Sequence, residues 1–180
     1  MIQHSNPIST PRAGCTKFTL KDAPSVELFL RMFPAHLKKL FPELDVKGSR
    51  GDAFNLMLCI SELAINLRHM EEGKNFFPAT FTMERKGNRF VAEMKEASEF
   101  FFAGIKPQAN PLIPNGRGTW TTHVLCEATG GNLEVKPELG LTRFEYVVGL
   151  PQKEVDAKVL EISNRELPLA ETISLAAGMA

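Results

Sequence analysis

The sequence has only three cysteines, Cys15, Cys59 and Cys126, and no Cys-x-x-Cys pair. Three cannot all pair internally and no zinc-type spacing exists, which points to a reducing compartment and away from a disulfide-stapled secreted scaffold. An excess of one charge is missing too: Lys plus Arg number 21 and Asp plus Glu number 21. No global field therefore recruits nucleic acid or an anionic membrane, and any binding site must come from local arrangement. Long apolar runs are absent, with no stretch approaching the roughly 20 residues that cross a bilayer. Residues 1–14 are polar, carry Pro7 and Pro11, and do not look like a signal peptide. Aromatic–basic interleaving of the kind that binds single-stranded nucleic acid is lacking as well. The expectation is a cytoplasmic globular domain with no nucleic-acid and no membrane partner.

What is present fits that size and class. The chain of 180 residues is 43% apolar, enough for one domain with a modest core. Beyond a mobile leader over residues 1–14, Thr16 to Leu20 alternates as a short strand. Asp22 and Pro24 open a helix carrying Val26, Phe29, Leu30 and Phe33, then Leu37, Leu40 and Phe41; Pro34 is expected to kink or split it. Asp52 reads as the N-cap of a longer helix over 53–70, free of Gly and Pro. Two β-prone arms, 79–85 and 89–95, flank Lys86-Gly87-Asn88, a hairpin signature. Residues 106–118 are rich in breakers, a length typical of a lid or binding loop. A helix is expected from Thr119 to Ala128, stopped by Gly130-Gly131, then a second hairpin over 133–136 and 142–150 that turns around Gly140. In the tail, 151–180, Val155, Val159 and Ile162 follow helical spacing. The order predicts an α/β fold of the α+β two-layer kind: a mixed, largely antiparallel sheet with helices packed on one face.

On the 53–70 helix, Asn55, Cys59, Glu62, Asn66 and His69 recur at spacings of four, three, four and three, one continuous stripe. Nearly everything else there is apolar. Such a stripe either meets water at the domain edge or lines a cleft. In a cleft, Glu62 has the chemistry of a general base and the Asn66 amide oxygen that of a hard Mg²⁺ ligand. His69 alone reads more readily as a hydrogen-bonded bystander. Further on, Asn115-Gly116-Arg117-Gly118 precedes a predicted helix, where bare backbone N–H groups and the helix dipole favour phosphate. Arg117 adds a guanidinium suited to anionic oxygens. Trp120 reads as core and His123 as a solvent or capping residue.

The run Ser61-Glu62-Leu63-Ala64-Ile65-Asn66-Leu67-Arg68-His69 resembles the N-box of the histidine-kinase-like (GHKL) ATPases, in particular the anti-sigma-factor serine kinases of bacterial partner switching. The resemblance covers about residues 15–150 and implies a Bergerat-type fold. It implies ATP and Mg²⁺ as cofactors, with Asn66 on the metal, Glu62 as catalytic base, and His69 beside the nucleotide. Gly116, Arg117 and Gly118 match the second glycine box, with residues 101–114 as its lid. Relatives read adenine with Asp-x-Gly-x-Gly; here Glu96-Ala97-Ser98-Glu99-Phe100 stands in its place. Glu96 substitutes the Asp with one more methylene, while Ser98 and Phe100 put side chains where relatives have bare backbone. Thr142, after Gly140-Leu141, stands for the family's Gly-Thr, and Thr119 replaces a common Leu. The implied protein is a transcription regulator that phosphorylates or sequesters a partner, a sigma factor or an anti-sigma-factor antagonist, and that forms a homodimer. The altered first box motivates an alternative: a degenerate module of the same fold that binds a protein without nucleotide. An unrelated α/β domain that merely mimics the N-box is the third reading.

Overall fold

A computed structural model describes residues 15–67, 77–96, 117–136 and 139–177. Its centre is a five-stranded sheet. The strands are β1 (Cys15–Leu20), β2 (Ala79–Lys86), β3 (Arg89–Lys95), β4 (Asn132–Lys136) and β5 (Leu141–Val147), in the spatial order β1-β2-β3-β5-β4. Every neighbouring pair is antiparallel. The β2–β3 connection is a two-residue turn at Gly87-Asn88, fixed by the Lys86↔Arg89 pair, as its sequence signature predicts.

Alternation decides which face is buried. The row Phe18–Phe81–Met94–Thr142–Val135 lies on the helix-covered face, as do Met83, Ala92, Phe90, Phe144 and Tyr146. The intervening positions, Lys17, Thr82, Glu93, Arg143 and Glu134, share the opposite, polar face. A one-residue slip in any strand would exchange the two sets, so burial fixes the register.

Three helices cover the apolar face. In α1 (Ala23–Leu40), Asp22 and Ser25 form a reciprocal capping box: Ser25 N–H donates to Asp22 Oδ1 at 2.9 Å and Asp22 N–H to Ser25 Oγ at 3.0 Å. Val26, Phe29, Phe33, Leu37 and Leu40 make its buried stripe. Of the two outcomes expected at Pro34, a kink or a split, the split does not occur: α1 is one helix through it. The lost backbone bond costs about 3 kcal/mol in an exposed helix. Here both sides of the proline are anchored by buried Phe33 and Leu37, and the Phe33 ring meets Phe90 edge-on at 6.2 Å.

The second helix, α2 (Asp52–Asn66), also departs from expectation at its start. Gly51, not Asp52, is the N-cap residue, and it makes no side-chain cap. The Asp52 carboxylate instead accepts from Tyr146 O–H at 2.8 Å and from Gly149 N–H at 2.6 Å, while Asn55 Nδ2 donates to Tyr146 Oη at 3.0 Å. This cluster pins the head of α2 to the end of β5. Leu56, Ile60, Leu63 and Ala64 are buried along its length.

The third helix, α3 (Arg117–Ala128), starts two residues earlier than its periodicity suggests and packs on α2 and β5. It ends where Gly131 passes tightly against β5: a Cβ there would overlap the Glu145 carbonyl oxygen. The tail forms α4 (Gln152–Ala177), whose Val155 and Ile162 pack with Val124, Ala128 and Trp120 of α3 into a small cluster beside the main core. Arg165 reaches Glu127 at 2.9 Å. No helix among the described residues is long and apolar enough to cross a membrane.

Candidate functional site

The polar stripe on α2 divides into two parts with different roles. Asn55 is buried and bonded to Tyr146, and Cys59 lies fully buried against the Cys126 thiol, whose ionisation burial and that neighbour push well up. Neither faces a cleft, so the stripe as a whole does not line one. Glu62 is the first of its members that is only half-buried. Asn66 is the last helical residue, one turn further on; its side chain lies outside the described residues, as does all of His69.

Glu62 meets the start of α3. A Cβ built on Gly118 would overlap Glu62 Oε2 and would sit 3.0 Å from Cδ and 3.1 Å from Cβ of the same side chain. Any larger residue at 118 would have to displace the Glu62 side chain that lies against this glycine. That carboxylate occupies the positive end of a twelve-residue helix, where the aligned peptide dipoles favour negative charge. Arg117 opens the same helix; its side chain, with Gly116 and Ser98, lies outside the described residues.

The sheet supplies the second half. Glu96 follows β3 on the buried face, opposite Gly140, to whose carbonyl its N–H donates at 2.9 Å. It is only 5% exposed, and neither carboxyl oxygen has a hydrogen-bond partner among the described residues. Burial pushes its pKa up to about 9, which favours the uncharged acid at neutral pH. Thr142, 1% exposed on β5, pairs with Met94 and is thus the diagonal cross-strand neighbour of Glu96; such neighbours lie about 7–8 Å apart. Its hydroxyl is also unpartnered, and so is that of Thr119, 1% exposed in the first turn of α3.

Native interiors leave few such atoms, and each calls for a water, a ligand or a source of strain. Four oxygens without a described partner thus come from the end of β3, the start of β5 and the start of α3, and the first three of them lie at the end of the sheet beside Gly140. Thr119 was foreseen only as a departure from the family's leucine; a hydroxyl directly after a glycine pair was the available signal. Among the described residues no three His, Cys, Asp or Glu side chains form a metal-binding group. No family model matches the chain, and no curated protein matches it either.

Proposed function

We propose that this chain is a GHKL-type regulator that binds Mg-ATP and controls a protein partner, a sigma factor or an anti-sigma-factor antagonist, by phosphorylating or sequestering it. The observation that carries this reading is the set of four buried oxygens on Glu96, Thr142 and Thr119 without a hydrogen-bond partner among the described residues, Thr119 following the Gly118 that Glu62 touches. A planar ligand with a hydrogen-bonding edge would satisfy the oxygens of Glu96 and Thr142, which is the chemistry a nucleotide base offers. In this reading Glu96 and Thr142 would hold the base and Gly116 and Arg117 would meet the phosphates, whereas Gly118 carries the Glu62 carboxylate instead. Asn66 would supply an oxygen to Mg²⁺, a cation that takes few protein ligands and relies on phosphate and water for the rest. ATP, when bound, supplies the phosphoryl group. Glu62 takes the proton from the acceptor hydroxyl, and its seat at the helix dipole keeps the carboxylate in place.

One observation favours the second reading, a module that binds a protein without nucleotide: Glu96 is longer than the Asp of relatives and is followed by Ser98 and Phe100 where they carry glycines. Calorimetric titration of Mg-ATP decides between the two. The nucleotide reading expects micromolar binding that Asn66→Ala weakens at least about tenfold, the scale of losing a metal ligand's neighbourhood. Wild-type protein that takes up no ATP at millimolar concentration belongs to the second reading.

A further inference from the structure

We propose that Trp120 and the helix α4 packed on it are a positioning device for the candidate site: they hold the first turn of α3 where Gly118 meets Glu62. This rests on the α3 start belonging to the site proposed above, and its first readout needs no nucleotide.

Three consecutive residues of that turn have different surroundings. Gly118 lies against the Glu62 side chain of α2, and Thr119 is buried. Trp120 packs with Val124, Ala128, Val155 and Ile162 in the cluster between α3 and α4. At about 100° of rotation per residue, Trp120 stands about 200° around the helix from Gly118, so the two contacts grip opposite sides of one turn. The rest of α3 keeps that division: Leu125 and Cys126 belong to the main core, Val124 and Ala128 to the cluster with α4.

A helix end needs such a grip. Its first four N–H groups have no partner within the helix, and terminal turns fray. The Thr122 hydroxyl donates to the Gly118 carbonyl at 3.0 Å, which ties the first turn to the second but does not fix its distance from α2. That distance matters at Gly118, where a Cβ would stand 3.0 Å from Cδ and 3.1 Å from Cβ of Glu62. An indole packed on the far side sets it, because a ring of that size resists sideways displacement of the turn. The Arg165–Glu127 pair, at 2.9 Å, spans the same interface between α4 and α3. A change in the seating of α4 thus reaches Gly118 through two residues of backbone, without passing through the main core.

The test is the cost of Gly118→Ala, read as the fall in urea midpoint, in two backgrounds. With α4 seated, the added methyl meets Glu62 and the midpoint falls. Ile162→Asp puts a charge into the small cluster and frees the first turn, so the fall caused by Gly118→Ala shrinks to about half or less. Trp120→Phe, which keeps a ring in place, retains the full fall. Deuterium exchange in β3 and β5 checks that the main core is intact, and Ile162→Ala is read the same way if the aspartate variant does not fold. An unchanged Gly118→Ala effect in the Ile162 variant overturns the inference. Mg-ATP calorimetry separates it from the nucleotide reading. Where that reading holds, Ile162→Asp weakens binding at least about fivefold, and equal affinity in the two proteins also overturns the inference. Where no form binds Mg-ATP, the nucleotide reading fails, while a shrunken Gly118→Ala effect still supports α4 as the support of the Glu62 contact.

Discussion

At the scale of the residue, Glu96 links burial to pH. Its folded pKa, near 9, lies far above the ordinary carboxylate value of 4.5, so the folded chain holds a proton that the unfolded chain releases between those limits. The sign follows: the contribution of Glu96 to stability is full below about pH 4.5 and is lost as pH rises toward 9, by roughly 1.4 kcal/mol per unit. Glu96→Gln removes the dependence. Denaturant unfolding from pH 4 to 9 should show variant and wild type converging at the acid end, with the variant gaining as pH rises. A gap that stays constant with pH would mean the carboxyl is solvated. Gly118 gives a second residue-scale expectation. Gly118→Ala drives a methyl into Glu62 and should cost about 1–3 kcal/mol, much of it recovered in the Gly118→Ala, Glu62→Ala double variant because the overlapping carboxylate is gone. Strict additivity of the two changes would show that the glycine and the carboxylate are not in contact. Glu62 and Gly118 drew attention by their place in the sequence pattern, Glu96 and Thr142 only through what the family resemblance implies. The pattern missed that Asn55 and Cys59 are interior, because a 3.6-residue period says which residues share a face and not how far along the helix the covering layer extends.

At the scale of the element, the helices were legible in their middles, at the Asp22 start of α1 and at the Ala128 end of α3, and were misread at the starts of α2 and α3. The apolar stripes of α1 and α2 follow from periodicity, but caps and breaks depend on partners distant in sequence. Asp52 has the chemistry of an N-cap, yet its carboxylate is taken by Tyr146 and Gly149, more than ninety residues away. Tyr146→Phe leaves Asp52 short of a donor and Asn55 without its acceptor. A loss of about 1–3 kcal/mol is expected in equilibrium unfolding, and no loss would show that water replaces the hydroxyl. At Pro34 the split, one of the two outcomes expected, does not occur: the proline has a cost, and anchoring on both sides outweighed it. Pro34→Ala restores the bond to the Leu30 carbonyl. It should raise the unfolding midpoint, by less than the full 3 kcal/mol because alanine also frees the unfolded chain. A lower midpoint would mean that the proline ring itself is packed.

At the scale of the whole molecule, the sheet was the most legible part. Two short-looped hairpins with period-two alternation leave few ways to arrange strands, and the covered face follows from which residues alternate. What the linear sequence could not show was that the tail would lie on α3 and enclose Trp120, since Val155 and Ile162 gain meaning only once α3 exposes Val124 and Ala128 to receive them. That arrangement makes α3 a wall shared by two interiors: Leu125 and Cys126 face the main core while Val124 and Ala128 face the small one. A shared wall implies a hierarchy of opening. The small interior is held by few residues, so α4 should detach at a free energy well below that of global unfolding, as cooperative subunits of a fold commonly do. Amide protons of residues 155–162 would then exchange with deuterium faster than those of β3 and β5, and the single tryptophan would report each detachment from the face of α3 pointing away from the sheet.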